Sequence, residues 1–552
     1  MRFSKKLFFM LTFCTLTTHI FAIRQPRLTV VITLSQLSYE KMIELKRYLK
    51  GGLHYFLNYG IIYHNAYQPH ATPSISTSHA TLSTGTLACT HGIIGNSWYA
   101  NNNKIKADNS DKENSAVFNL SNQSSLYYDY GKSAQNLCAD TLSDSFMLSS
   151  KPYAKHTTYS LSLKSSPAIL TAGRLGKAIW FDKKNGNFTS SRSYFKNHLP
   201  AWLTCFNKEK QIRNKDSLSW HQAYKKRTFP YRMFKDNVNW LGFFNKKVLI
   251  NHTEKNPYKH FLQSPQANSL LFELAQVCIE NHANKNLDDK MLIWLTPTAL
   301  HDASKEFEPD SLQITDLIYH LDLELYKFYQ NITKKIRKKD VLIVITSDNG
   351  TIFSPESLQK KGYGSAHRIS TSDIKRKLNS IAHQHSDAFN LITHIHAKQV
   401  YFNTTKFSAL SKNIQQKIIS ACKEYLIKIP GIKNIWEHKE LYAHNCIKNN
   451  IEQLARNQLY SDRSGKLIIE TEPYCLLTHS KQKIMPQTPY NYSTHIPLII
   501  YQARNHEAYQ VYNKVCATQL APTLAHLLGI NTPAASTAPL LPLIAPRNDT
   551  CF

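Results

Sequence analysis

The sequence predicts an α/β fold in which a largely parallel sheet carries helices on both faces. Four short runs of apolar, mostly β-branched residues have the composition of buried parallel strands: residues 28–34, 291–296, 341–346 and 496–501. Between the second and third runs, apolar residues recur at helical spacing from Leu317 to Ile336. A strand, a helix and a second strand in this order form a βαβ unit, and such units build parallel sheets.

Two long segments interrupt this pattern and are predicted to be insertions. Residues 99–260 are polar, rich in Asn and aromatic, with only short strand-like runs, and we interpret them as a cap. Residues 354–486 combine a helical pattern with short strand-like runs and are predicted to be a small α+β insertion. The predicted core then consists of residues 27–98, 261–353 and 487–552.

The first 22 residues have the pattern of a signal peptide. Arg2, Lys5 and Lys6 precede an apolar run, and Ala22 offers a small residue at a cleavage point. No other stretch of the sequence is long and apolar enough to span a bilayer. We therefore expect an exported protein, periplasmic or extracellular, that has no transmembrane span after signal removal.

The chain is strongly basic. Its formal net charge is +29, and removal of the three basic residues of the signal leaves +26 (29 − 3). Such a charge either spreads over a solvated surface or attracts polyanionic partners, and the densest basic cluster covers residues 334–339. No arginine-rich arm, zinc knuckle or helix-turn-helix signature is present, so the sequence contains no specific nucleic-acid motif. None of the 10 cysteines forms a Cys-x-x-Cys pair, which excludes a zinc ribbon.

A hydroxyl-rich loop leads into a helix near residue 75. The stretch from Pro73 to His79 reads Pro-Ser-Ile-Ser-Thr-Ser-His, Gly85 closes the helix, and His-Gly-Ile-Ile-Gly-Asn ends at Asn96. Backbone N–H groups and the helix dipole converge at such an N-terminus, which suits a nucleophile or a bound anion. Ser76 is open to two interpretations here, as the N-cap of the helix or as a nucleophile.

These motifs, together with residues 168–182, 199–207 and 520–530, resemble the alkaline phosphatase superfamily. The similar branch is that of the type I phosphodiesterases/nucleotide pyrophosphatases and the phosphate-irrepressible alkaline phosphatases, and the resemblance covers nearly the whole mature chain. It implies a three-layer α/β/α sandwich with two inserted subdomains. It also implies hydrolysis of phosphoric esters by two zinc ions, which Asp and His ligands hold and which activate a Thr or Ser nucleophile.

Most site positions of that family hold other residue types in this chain. The nucleophile position, four residues before His79, is Ile75, and Asp348 is the only metal ligand that is kept. The other ligand positions are occupied by Ser35, His301, Lys305, Asn349 and Pro486. Hydroxyl, ammonium, amide and proline groups are poor or impossible zinc ligands, so we expect no bound metal cofactor.

Two phosphate-contacting positions are kept under the same resemblance. Asn96 matches an oxygen-contacting Asn, and Lys164 matches the Lys of a Lys-x-Arg motif whose Arg is Ser166 here. Lys305 adds a cation near a former metal position. For Lys164, a solvated surface lysine is the alternative interpretation.

The residues leave two functional hypotheses. In the first, the chain is a pseudoenzyme that keeps the phosphatase scaffold and binds a phosphate-like anion or a phosphorylated ligand without zinc. In the second, it is an active metal-dependent phosphomonoester or phosphodiester hydrolase whose displaced site uses Ser76, Asp302, Asp348 and nearby histidines. Loss of even one metal ligand usually cripples such a site, which favours the first hypothesis. The ligand, the disulfide pairing and the oligomeric state stay open.

Overall fold

A ten-stranded sheet forms the centre of the computed structural model. The structure describes residues 25–119, 125–224, 231, 246–254, 256–282, 288–443, 450–479, 488–503 and 508–544. The predicted signal peptide lies outside these residues.

The strands of the central sheet are β1 (Leu28–Thr33), β2 (Ile61–Tyr67), β3 (His156–Ser162), β4 (Lys177–Asp182), β5 (Asn187–Thr189), β6 (Lys290–Thr296), β7 (Val341–Thr346), β8 (His495–Ile496), β9 (Leu498–Gln502) and β10 (Tyr509–Cys516). Their order across the sheet is β5-β4-β3-β6-β1-β7-β9-β2-β8, and β10 pairs with β2. The five strands from β4 to β7 in this order are mutually parallel, whereas β5 and β9 are antiparallel to their neighbours. The prediction of a largely parallel sheet is confirmed.

The strands predicted from continuous apolar runs are confirmed. β1 and β7 are buried at every position, and β6 at every position but its first, as expected for strands covered on both faces. Strand β1 lies between β6 and β7, so the βαβ unit that joins β6 to β7 skips one strand. The fourth predicted run is divided at Pro497 into β8 and β9, because proline has no N–H group for the ladder.

Part of the predicted cap belongs to the central sheet instead. Residues 156–189 supply β3, β4 and β5, so the interpretation of 99–260 as a segment outside the core does not hold for this part. The polar residues of β3 conceal in the sequence that the strand is buried, because two of their hydroxyls find partners on neighbouring elements. The Ser160 hydroxyl lies 2.6 Å from that of Thr171, and the Ser162 hydroxyl donates to the carbonyl of Thr296 at 3.2 Å. The other segment boundaries stay predictions.

The remaining strands form small separate sheets. They pair Ser97–Ala100 with Asn103–Lys106, Asn109–Ser110 and Ala116–Asn119 with Ser125–Lys132, Ser217–Trp220 with Lys246–Leu249, and Arg368–Ser370 with Leu476–Thr478. A four-stranded sheet in the order Ile392–His396, Gln399–Phe402, Leu467–Thr471 and Ile432–Glu437 lies within the predicted α+β insertion.

The helices are α1 (Tyr39–Leu45), α2 (Gly52–Tyr59), α3 (Ile75–Thr84), α4 (Ala88–His91), α5 (Leu142–Leu148), α6 (Ser165–Ala172), α7 (Ala201–Lys210), α8 (Lys259–Leu262), α9 (Pro265–His282), α10 (Ala299–Ala303), α11 (Leu312–Lys335), α12 (Pro355–Lys360), α13 (Thr371–His385), α14 (Thr404–Ser408), α15 (Lys412–Ile427), α16 (His438–Ala443), α17 (Asn450–Arg456), α18 (Asn491–Thr494) and α19 (Leu520–Leu528). None of the described helices is long and apolar enough to cross a membrane. The seven cysteines within the described residues are unpaired.

The two faces of the sheet pack against different groups of helices. Along β1, Val30 and Ile32 enter the hydrophobic cluster that contains α2, α9 and α11, whereas Val31 enters the cluster that contains α5 and α19. Successive side chains of a strand point to opposite faces, so this alternation places helices on both sides. The predicted three-layer α/β/α sandwich is confirmed.

A buried carboxylate joins two helices of one face. Asp322 of α11 accepts hydrogen bonds from the backbone N–H groups of Lys50, Gly51, Leu53 and His54 at 2.6–3.2 Å, and so caps α2 from a distance. The Cβ of any other residue at position 51 would overlap the backbone of Asp322. Glycine at this position therefore allows the two helices to approach closely.

Candidate functional site

The candidate site lies where β1, β6 and β7 end. These adjacent strands are parallel, so their carboxyl ends meet at one edge of the sheet, which is where α/β folds place their sites. Ser35 and Gln36 follow β1, and Asp348 and Asn349 follow β7. The loop after β6 leads into the short helix α10, which carries His301 and Asp302.

Hydrogen bonds from its own chain surround the Asp348 carboxylate. Oδ2 accepts the hydroxyl proton of Ser35 at 2.5 Å, and Oδ1 accepts the N–H groups of Gln36 and Asn349, both at 2.8 Å. The side chain of Asp348 is fully buried. Asp348 thus ties the loop after β1 to the loop after β7. The side-chain nitrogen Nδ2 of Asn349 lies 3.5 Å from the carbonyl oxygen of Pro73.

Two lysine ammonium groups converge on a single carboxylate oxygen. Oδ1 of Asp302 accepts from Nζ of Lys164 at 2.7 Å and from Nζ of Lys305 at 2.5 Å. Burial alone would raise the pKa of Asp302, but the two ammonium groups outweigh it and lower that pKa. Burial lowers the pKa of Lys164 to about 8, against the attraction of Asp302. Lys164 is thus a partly exposed side chain that is ion-paired with Asp302.

Two imidazoles line the same region. His79 of α3 is fully buried, with Nδ1 donating to the carbonyl of Ile75 at 2.6 Å and Nε2 accepting from the hydroxyl of Thr296 at 3.2 Å. Burial lowers the pKa of His79, although the nearby Asp348 opposes this shift. Burial, and then the two lysines near Asp302, lower the pKa of His301 far below its ordinary value. Both imidazoles are therefore neutral at physiological pH.

The start of α3 supplies the third group of side chains. Ser74 is the N-cap, since its hydroxyl accepts the N–H of Thr77 at 3.2 Å, so the interpretation of Ser76 as the N-cap is wrong. Ser76 lies in the first turn, where its N–H donates to Oδ1 of Asn96 at 3.0 Å. Its hydroxyl lies 2.6 Å from the hydroxyl of Ser166.

The structure thus brings the described site residues into three hydrogen-bonded groups at one edge of the sheet. They are Ser35 with Asp348, Lys164 with Lys305 through Asp302, and Ser76 with Asn96 and Ser166. Ile75 occupies the first position of α3 with its side chain buried, and Pro486 lies outside the described residues.

Sequence reasoning missed the contact of Asp302 with both lysines. The resemblance assigns His301, and not Asp302, to a metal-ligand position, so it indicates no contact of Asp302 with either lysine. The available signal was chemical, because Lys164 and Lys305 at two site positions require a nearby anion. Asp302 is the nearest acidic residue in the sequence on the N-terminal side of Lys305.

The described side chains do not suit a pair of zinc ions. Zinc sites in proteins use thiolate, imidazole and carboxylate ligands. Here a serine hydroxyl is bonded to Asp348, and the ammonium of Lys305 is bonded to Asp302. Across the described part of the chain, no group of three or more His, Cys, Asp or Glu residues is arranged to hold a metal ion.

Known proteins match this chain over most of its length. The family described as type I phosphodiesterase / nucleotide pyrophosphatase matches residues 29–495. The alkaline phosphatase PafA of Elizabethkingia meningoseptica is 26% identical over 541 residues, which cover 93% of this chain and 94% of PafA. The alkaline phosphatase PhoV of Synechococcus elongatus is 25% identical over 532 residues, which cover 93% of this chain and 92% of PhoV.

The fold agrees with the sequence match. The crystal structure of wild-type PafA superposes with a TM-score of 0.77 at 22% identity, covering 94% of this chain and 99% of the PafA chain. In chain order, the family match runs from the second residue of β1 to the first residue of β8. It includes every described site residue named above. The chain therefore belongs to the type I phosphodiesterase / nucleotide pyrophosphatase family of the alkaline phosphatase superfamily.

Proposed function

We propose that the chain is an exported member of this family that has lost zinc-dependent hydrolysis. In this proposal the site is kept as a metal-independent pocket for a phosphate-like anion or a phosphorylated ligand. The convergence of Lys164 and Lys305 on one oxygen of Asp302 carries the proposal, because it supplies cations where the family uses a metal.

The charges of the pocket favour an anion. Lys164 and Lys305 contribute two positive charges, Asp302 offsets one of them, and the two imidazoles are neutral. Asp348 brings the formal charge of these groups to zero, but three hydrogen-bond donors already engage its carboxylate. An entering anion therefore meets two lysines that share one carboxylate oxygen, and Lys305 is half exposed and accessible to it.

The start of α3 contributes less than its sequence suggests. The N–H groups of Ser76 and Thr77 are already bonded to Asn96 and Ser74, so they are not available to a ligand in this conformation. The helix dipole still favours an anion near this end. The ligand contacts then come from side chains, chiefly Lys164, Lys305 and the amide nitrogen of Asn96.

The same geometry argues against hydrolysis through Ser76. A serine nucleophile needs an adjacent base. The described partner of the Ser76 hydroxyl is the hydroxyl of Ser166, which is not a base at neutral pH. The nitrogens of His79 are already bonded to Ile75 and Thr296.

A residue of the predicted α+β insertion holds the loop before α3 in place. Oε1 of Gln458 accepts the N–H of Thr72 at 2.9 Å, and Nε2 donates to the carbonyls of Thr72 and Ile94 at 3.1 and 2.6 Å. Thr72 lies four residues before Ser76, and Ile94 lies two residues before Asn96. One amide thus fixes the distance between the two loops that supply these side chains.

The metal content of the purified protein tests the central claim. We expect less than one zinc ion per chain by elemental analysis after dialysis, because the described donors cannot assemble two zinc sites. A metal-dependent alkaline phosphatase dialysed in parallel controls for zinc loss during handling. A stoichiometric zinc pair in this protein would contradict the proposal.

Hydrolysis is expected to be absent. Aryl phosphate monoesters and diesters should be cleaved no faster than in a mock-purified control, with or without added zinc, because position 75 is an isoleucine and Ser76 has no base. If cleavage is observed and Ser76→Ala abolishes it, the alternative of an active displaced site is correct. Cleavage that survives Ser76→Ala would refute both hypotheses.

Anion binding is expected in the presence of a chelator. Calorimetry with sulfate, which stays dianionic over the relevant pH range, should give a Kd on the order of micromolar to millimolar, since each charge-assisted bond contributes about 1.5–3 kcal/mol. Lys164→Ala or Lys305→Ala should each weaken binding by roughly tenfold or more. Asp302→Asn should strengthen binding, because it removes the competing carboxylate.

The pH dependence follows from Lys164. Its ammonium must be protonated to hold the anion, so binding should be strongest below pH 8 and weaken as the pH rises through about 8. The exposed Lys412→Ala serves as the matched control and should leave affinity unchanged. The proposed anion site would be refuted if the wild type does not bind sulfate. It would also be refuted if the alanine variants at Lys164, Lys305 and Lys412 bind sulfate equally well.

The role of Gln458 predicts a selective loss of affinity. Gln458→Leu removes three hydrogen bonds to the two loops and should weaken sulfate binding by about threefold to tenfold, while Gln458→Glu, which keeps only the acceptor, should have an intermediate effect. Gln416→Leu on an exposed helix face is the control. Loss of thermal stability with unchanged sulfate affinity would limit Gln458 to a structural role.

A further inference from the structure

Cations gather at the edge of the central sheet opposite to the candidate site. Arg27 precedes β1, Lys155 precedes β3 and Lys290 begins β6. These three strands are adjacent and parallel, so their amino ends meet at one edge. None of these residues takes part in the site described above.

A cavity of about 80 Å³ lies between these side chains. Arg27, Lys155, His282, Asp289 and Lys290 contribute its polar lining, and we call it the basic cavity. A single buried water needs about 10–15 Å³, so this volume holds several waters or one tetrahedral oxyanion.

Three cationic residues and one carboxylate line the basic cavity. Oδ1 of Asp289 is engaged by the backbone N–H of Lys155 at 2.9 Å. The ammonium of Lys290 is bonded to neutral oxygens, the side-chain oxygen of Gln25 and, at 3.4 Å, the carbonyl of Leu528. Among the described residues, no carboxylate lies within ion-pair distance of the ammonium of Lys155 or Lys290.

Nearby cations contribute to the pKa shifts of two groups at this edge. Burial and then the repulsion of nearby Lys151 lower the pKa of Lys290. Burial also lowers the pKa of His156, and Lys290 and Lys151 lower it further, against the attraction of Asp289.

The densest basic run of the chain borders the basic cavity. Ile336, in the middle of residues 334–339, is part of the cavity wall. Two cations of the run are neutralised, Lys335 by Glu280 at 3.1 Å and Arg337 by Asp340 at 2.6 Å. The remaining lysines of the run add to the field without a described ion pair. An anion in the cavity would relieve the repulsion among these cations.

We propose that the basic cavity is a second anion site, which binds a phosphate group. The phosphate group belongs either to free inorganic phosphate or to the headgroup of an anionic lipid, since both present the same tetrahedral oxyanion. Lys155 is exposed and Lys290 is partly exposed, which suits a ligand that reaches the cavity from outside. This site is independent of the pocket near Asp302.

Calorimetry with inorganic phosphate on the full chain tests the proposal. The wild type should bind two phosphates, the double variant Lys155→Gln/Lys290→Gln should keep only the pocket near Asp302, and Lys164→Ala should keep only the basic cavity. Asp289→Asn should strengthen phosphate binding in the Lys164→Ala background. If only the proposed function is wrong, the wild type should bind a single phosphate, which depends on Lys155 and Lys290 and not on Lys164.

A matched variant distinguishes a specific phosphate site in the cavity from nonspecific attraction by the surrounding positive charge. Lys338→Gln/Lys339→Gln removes the same charge next to the cavity and should change phosphate affinity by less than about threefold, because solvent screens these lysines. An equal loss of phosphate affinity in both double variants would overturn the proposal. Phosphate binding that is unchanged by substitution of Lys155 and Lys290 would also overturn it.

Vesicle sedimentation distinguishes the two sources of phosphate. Phosphatidylcholine vesicles with and without phosphatidic acid are compared for the wild type and the Lys155→Gln/Lys290→Gln variant. Binding that requires phosphatidic acid, is lost in this variant and is reversed by inorganic phosphate identifies a lipid headgroup. Phosphate binding at the cavity without vesicle binding identifies free phosphate. Vesicle binding that both double variants retain, together with no cavity-dependent phosphate binding, refutes the site.

Discussion

The carboxylate of Asp348 connects the two loops on which the candidate site is built. It takes three hydrogen bonds from Ser35, Gln36 and Asn349, and it joins the ends of β1 and β7 across the middle of the sheet. A buried charge is tolerated only when it is paired or hydrogen-bonded. In this chain the pairing groups are the hydroxyl and backbone N–H groups of neighbouring loops, so the burial of Asp348 requires no cation.

The other substitutions follow the same electrostatic requirement. A site that lost its metal ions but kept all its carboxylates would hold several like charges close together, which is unfavourable. Here a serine stands at position 35, and the resemblance assigns Lys305 to a position where the family has a histidine. The lysines balance Asp302, and every described acidic group of the site has a partner. Under the proposed loss of zinc, these residues form one electrostatically consistent set.

Burial explains which parts of the fold the sequence could predict. β1, β6 and β7 are apolar throughout, so their composition alone identifies them. β3 is equally central, but Thr158, Ser160 and Ser162 give it a polar sequence, and the hydroxyls of Ser160 and Ser162 find their partners only through tertiary contacts. No local pattern could show that those partners exist.

The candidate site shows the same limit at the level of single residues. The positions of Ser35 and Asp348 follow from the strands that precede them, and the sequence was sufficient to place both at the edge of the sheet. The role of Asp302 depends on how α10 turns relative to α6, and that angle is set by packing. Ser74 and Ser76 both suit an N-cap by residue type, so only the backbone geometry decides between them.

The parallel arrangement of β3, β6 and β1 also explains how one sheet can support two separate anion sites. At the carboxyl ends these strands lead to Lys164, to Asp302 and to Ser35. At the amino ends they begin beside the cations of the basic cavity. A strand of six or seven residues spans roughly 20 Å, whereas charges in physiological salt are screened beyond about 8 Å. The two groups of cations therefore do not compete for one ligand or repel each other appreciably through solvent. Under the two proposals, the positive charge of the chain is divided between the two edges of the sheet, each with its own anion site.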